Sequence, residues 1–192
     1  MIDQAQDAVC RDRRINIVQG EQYVDTDPYV CLTTILGSCI AACLWDPVAA
    51  VGGMNHFLLP GDRMAHNGIA PAGNAMRYGV YSMELLVNGL LRRGAQRSRL
   101  RAKLFGGACM MRGLTDVGDL NASFTERFLR DEGIAVVGGS LRGERGRRIQ
   151  FWPVSGRARQ TLLGQDQSPV FRTERQNANS LVGATSGSLE LF

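Results

Sequence analysis

The sequence predicts a single layered α/β domain, with short strands forming a central sheet system and two main helices packed on its faces. Three observations point there. Short apolar, β-branched runs are cut by Gly, Pro and Asp turns; two longer stretches repeat apolar residues at three- and four-residue spacings; and 192 residues at 44% hydrophobic content suit one domain of roughly 150 residues plus appendages.

In chain order, residues 1–13 are polar, charged and without a period, and read as a disordered N-terminal arm. Residues 14–24 alternate apolar and polar as a strand that bends at Gly20, and Asp25, Asp27 and Pro28 make the turn that follows. Residues 30–35 are a short buried strand ending at Gly37. Residues 40–45 are apolar throughout, which fits strand and helix alike. Asp46-Pro47 stops the run after six residues, short for a helix, so a strand is expected. Residues 51–59, halted by Pro60-Gly61, make its hairpin partner. Residues 61–73, with two Pro/Gly clusters and His66, read as a surface loop.

Residues 75–93 form an amphipathic helix through Met76, Val80, Met83, Leu86, Val87, Leu90 and Leu91, capped by Asn74 and closed by Gly94. A strand at 100–105 runs into Gly106-Gly107. A second helix spans 119–131, with Leu120, Phe124, Phe128 and Leu129 on one face and Gly133 as its stop. Strands at 134–137 and 148–154 close the domain, expected over residues 14–156. Residues 157–192 are mostly polar and read as a flexible tail, tipped by the apolar Leu189-Glu190-Leu191-Phe192.

Composition narrows the function. No apolar run reaches the ~20 residues of a membrane helix, and the N-terminus lacks the basic and apolar regions of a signal peptide, so a cytoplasmic protein without membrane insertion is expected. Cys10, Cys31, Cys39, Cys43 and Cys109 are an odd set without framework spacing, which argues for reduced thiols. The +4 formal charge comes mostly from arginines, clustered at 92–101 and 142–148. No aromatic residues interleave with them, which speaks against single-stranded nucleic acid and leaves a solvated surface or an acidic protein partner.

The chemistry centres on Cys39, which follows Gly37-Ser38 and precedes His56 by seventeen positions. A thiol beside an imidazole is the pairing for nucleophilic acyl transfer, and the hairpin brings the two together. Small residues before the thiol let the backbone turn sharply, and backbone N–H groups there can hold an oxyanion. Cys31, Cys43 and Cys109 sit among apolar neighbours as inert packing. Cys39, Cys43 and His56 fall short of a zinc set, which takes four ligands with a Cys-x-x-Cys or second histidine pair. No nucleotide-binding motif appears, and no metal or cofactor is expected.

Three motifs, Leu36-Gly37-Ser38-Cys39, Gly52-Gly53-Met54-Asn55-His56-Phe57-Leu58-Leu59-Pro60 and Ala102-Lys103-Leu104-Phe105-Gly106-Gly107-Ala108, resemble in order and spacing the CheD family of chemoreceptor glutamine deamidases. The resemblance implies a layered architecture related to bacterial toxin deamidases and a protein-glutamine glutaminase activity on methyl-accepting chemotaxis receptors. It implies Cys39 as nucleophile, His56 as its partner, and a third catalytic position six residues before the cysteine, on Thr33, whose hydroxyl or carbonyl would orient His56. Thr34 is adjacent. It also implies two alternatives, hydrolysis of receptor glutamate methyl esters and regulatory binding to a CheC-like CheY-phosphate phosphatase.

Overall fold

The strand-forming runs separate into two sheets that face each other. The computed structural model describes residues 12–59, 72–109 and 117–164. Its elements are β1 (Arg13–Asn16), β2 (Gln22–Asp25), β3 (Val30–Leu36), β4 (Ile40–Asp46), β5 (Val51–Phe57), α1 (Ala72–Arg92), β6 (Arg101–Gly106), α2 (Val117–Asp131), β7 (Ala135–Leu141), β8 (Arg147–Trp152) and β9 (Arg157–Leu162). One sheet has the order β1-β3-β8-β9 and the other β2-β5-β4-β6-β7.

The uninterrupted apolar character of β4 follows from its place between two cores. Ile40, Ala42 and Leu44 point toward α1 and α2, while Ala41, Cys43 and Trp45 join Leu32, Leu36, Ile149 and Phe151 between the sheets. A strand covered on both faces has no reason to alternate. The predicted hairpin is present, with β4 and β5 antiparallel in the register Ile40↔Phe57, Ala41↔His56 and Asp46↔Val51. β6 and β7 run parallel, and α2 makes the crossover that parallel neighbours require.

Five expectations change. The strand at 14–24 is two strands in different sheets, β1 beside β3 and β2 beside β5, because the chain turns at residues 17–21. Both helices cover the same outer face, that of the five-stranded sheet, rather than opposite faces. In α2 the buried side is Gly118, Asn121, Ala122, Phe124, Thr125 and Leu129, while Leu120 is about half exposed. β9 occupies Arg157–Leu162 at the edge of the four-stranded sheet, so the sheet continues past residue 156. Of the expected arm, Asp12 accepts from Trp152 Nε1 and Arg13 opens β1, because β1 pairs with β3, while residues 1–11, His66 and the apolar tip lie outside the described residues. Among the described residues no helix is long and apolar enough to cross a membrane.

Candidate active site

The chain leaves β3 at Leu36, crosses between the sheets through Gly37, Ser38 and Cys39, and enters β4 at Ile40. This crossing carries the thiol, which is 3% exposed and lies in the layer between the sheets. His56 sits on the neighbouring strand opposite Ala41, which places it diagonally across from Cys39 on the same inter-sheet face.

The hydrogen bonds around His56 settle which nitrogen carries its proton. Thr34 Oγ1 donates to the Ile17 carbonyl at 2.7 Å, and His56 Nδ1 lies 2.9 Å from that hydroxyl and 3.4 Å from the same carbonyl. A carbonyl only accepts, and the hydroxyl has already spent its proton, so Nδ1 must be the donor. Nε2 therefore carries the lone pair, buried and without a hydrogen-bond partner among the described residues. Burial pushes the His56 pKa down to about 4, against the opposing pull of the Ile17 carbonyl and the Glu21 charge. The imidazole is neutral at pH 7.

The turn at 17–21 lies against this pair. Gly20 N–H donates to the His56 carbonyl at 2.7 Å, His56 N–H donates to the Glu21 carbonyl at 3.0 Å, and Val18 N–H donates to Glu21 Oε2 at 3.0 Å. The turn thus presents both the Ile17 carbonyl and Gln19, whose Oε1 accepts from Cys39 Sγ at 3.5 Å.

Behind the thiol the crossing is clamped from two elements. Gly107 N–H donates to the Cys39 carbonyl at 2.9 Å and Ala108 N–H to the Gly37 carbonyl at 2.8 Å. Gly106 has φ +113°, and a Cβ on it would collide with the Cys39 carbonyl, so the Gly-Gly pair is required by close approach. From α2, Asn121 Nδ2 donates to the Ser38 carbonyl at 3.0 Å while its Oδ1 accepts from Leu59 N–H at 2.8 Å.

A family model described as CheD chemotactic sensory transduction matches residues 58–161. A protein of Acidiphilium cryptum named probable chemoreceptor glutamine deamidase CheD is 68% identical over 180 residues, covering 94% of each chain. Proteins with that name from Caulobacter sp. (54% over 181 residues, 93% of each chain) and Rhizobium etli (60% over 167 residues, 86% of this chain and 89% of the other) are also similar. This chain belongs to the CheD family. Among solved structures, a Neisseria meningitidis protein of family DUF152 overlaps with TM-score 0.45 at 10% identity, over 68% of this chain and 64% of that one.

In this CheD-family chain the β4–β5 register sets His56 diagonally from Cys39, while the side chain of Thr33 lies on the other face of β3 from Thr34. Thr33 is paired between Asn16 and Gln150, and its carbonyl accepts from Ile17 N–H at 2.9 Å. Alternation along β3 turns the next side chain, Thr34, inward, so the hydroxyl facing His56 lies one residue later. Three contributors escaped the sequence reading: Gln19, the Ile17 carbonyl and Asn121. Asn121 left a trace, an amide three positions before Phe124 on the buried stripe of α2. The other two depend on a turn that the sequence presents as a bend within one strand.

Burial raises the Cys43 thiol pKa far above the ordinary range, and burial, with the Asp12 charge second, raises that of Cys31. Arg99 and Arg101 stand by Asp46 and Trp45, at the far end of β4, roughly 20 Å from Cys39 at the rise of an extended chain. In the second cluster Arg142 binds Asp119 and Glu126, and Arg147, 2% exposed, donates to the carbonyls of Ser140 and Arg142. These arginines serve the fold, and the second cluster lies at the Cys39 end, where Arg147 is paired with Leu36 and Arg142 N–H donates to the Gly106 carbonyl.

Proposed function

We propose that this chain is a cytoplasmic protein-glutamine deamidase that hydrolyses selected glutamine side chains of chemoreceptors to glutamate and ammonia. The observation that carries this reading is the polarity of His56 on the strand beside Cys39, with Nδ1 donating toward Thr34 and Ile17 and the buried Nε2 left with its lone pair. Membership in the CheD family, and the printed names of its similar members, supply the substrate class.

Cys39 Sγ attacks the side-chain amide carbon while its proton passes to His56 Nε2. A buried, neutral imidazole favours this over a resting thiolate–imidazolium pair, so proton transfer accompanies S–C bond formation. The imidazolium, an acid strengthened by burial, gives its proton to the departing nitrogen, and ammonia leaves with cleavage of the C–N bond. Water then loses a proton to Nε2 and attacks the thioester, and collapse returns the thiol and releases glutamate. Thr34 and the Ile17 carbonyl hold the ring in the tautomer the cycle needs.

Mass spectrometry of a chemoreceptor cytoplasmic fragment tests this. A gain of about one mass unit at glutamines, absent with Cys39→Ala, is expected for acyl transfer through the thiol. Loss of about fourteen mass units from methylated glutamates would instead reveal the methylesterase, and peptides unchanged by the wild type would leave only a regulatory binding role toward a CheC-like phosphatase.

A further inference from the structure

The carboxamide of Gln19 stands closer to the thiol than its place in a surface turn would require. Three features hold it there. Its Oε1 is 3.5 Å from Cys39 Sγ. Its turn is stitched to both the N–H and the carbonyl of His56. Its side chain is half-buried although Val18 and Gly20 on either side are exposed. A turn so anchored cannot slide along β5 without breaking the hydrogen bonds that also set the His56 ring.

We propose that Gln19 is a catalytic residue of this site, whose Oε1 orients the Cys39 thiol at rest and whose Nε2–H, after rotation about Cγ–Cδ, donates to the oxyanion of the tetrahedral intermediate. The proposal rests on Cys39 as the nucleophile. As long as sulfur carries its proton, a nearby group must accept. Once the proton is on His56 and the S–C bond has formed, sulfur donates nothing, and the carbonyl π pair of the substrate has become a full negative charge on the neighbouring oxygen. A carboxamide is the neutral side chain that presents an acceptor in the first state and a donor in the second through one rotation. A donor aimed at developing charge in a buried site contributes about 10²–10³ to turnover.

Gln19→Ala and the isosteric Gln19→Glu separate this role from a merely structural one. Ammonia release from a chemoreceptor cytoplasmic fragment gives kcat and KM, and iodoacetamide gives the alkylation rate of Cys39, a displacement that forms no oxyanion. We expect kcat to fall about 100-fold in both variants with KM within about twofold, and alkylation in Gln19→Ala to stay within about threefold of wild type. Gln19→Glu should recover relative to wild type as pH is lowered from 8 to 5, because a protonated carboxyl regains a donor. Turnover within threefold of wild type in both variants overturns the proposal, as does a loss matched by an equal loss of alkylation. Should Gln19→Ala unfold, Gln19→Glu, which keeps the side chain's shape, decides alone. Wild-type turnover by Cys39→Ala would instead remove the nucleophile assignment, an outcome visible without any Gln19 variant.

Discussion

At the Asp46 end of β4 a fully buried charge is matched on every side, whereas at the Cys39 end a buried nitrogen is left unmatched. Asp46 accepts from Val48, Ala49 and Gln96 backbone N–H groups and from the Arg99 guanidinium, with Arg99 Nη2 at 2.8 Å. Burial alone would raise its pKa, but Arg99 and these amides together hold it well below the usual carboxylate range. His56 has the reverse arrangement: one nitrogen is fixed and the other kept available. The β4–β5 hairpin thus spends hydrogen bonds on stability at one end and withholds one at the other, the pattern expected where a functional site is carried by a well-satisfied scaffold.

The comparison breaks most visibly at the thiol. Cys39→Ala should lower ammonia release by about 10³-fold or more while leaving the thermal unfolding midpoint nearly unchanged. The opposite signature belongs to Asp46→Ala. Loss of one member of a buried ion pair costs about 3–5 kcal/mol, roughly 10 °C in Tm for a domain of this size, yet turnover per folded molecule should stay close to wild type. A variant at Asp46 that loses activity without losing stability would show that the two ends are coupled.

Acid should act on the two ends in sequence. Each group has a folded pKa below its unfolded value, so the unfolded chain binds protons first and stability falls as pH falls. For His56 the loss begins near 6.5 and reaches about 3 kcal/mol by pH 4, while that for Asp46 starts only below 3.8. Urea midpoints between pH 7 and pH 4 should show the first step in wild type and lose it in His56→Gln. The smallest effect is at the hydroxyl. Thr34→Val removes a hydrogen bond of about 1–1.5 kcal/mol and should reduce kcat about tenfold, with Thr33→Val near wild type. Equal losses at both threonines would contradict the orientation seen along β3.

How far this was legible depended on which interactions are local. The β4–β5 hairpin and both helices follow from turn residues and spacings within a few tens of positions, and the hairpin register sets Cys39 and His56 diagonally from each other. The separation of β1 from β2 was hidden because Gly20 reads equally as a bend in one strand or a turn between two. Its φ of +90° and its hydrogen bond to His56 belong to the tertiary fold. Thr33 and Thr34 differ only by which face of β3 they occupy, and that face is set by pairing with β8, over a hundred residues away in the chain. β9 was missed for a related reason. Its exposed, polar residues earn their place as an edge strand through pairing with β8 rather than through their own pattern.

The depth of Cys39 has a consequence for what the protein spares. A cysteine nucleophile is equally capable of cutting peptide bonds, and chemoreceptors offer many more backbone amides than side-chain ones. At 3% exposure between two sheets, however, the sulfur is out of reach of any main chain in a helix, whose carbonyls are wrapped by their own side chains. Only a group at the end of a slender stem can be threaded down to it. Glutamine offers such a stem, longer than that of asparagine by one methylene or roughly 1.3 Å. In the proposed mechanism, recession of the thiol acts as a depth gauge, letting a protease-like nucleophile edit a receptor without cleaving it.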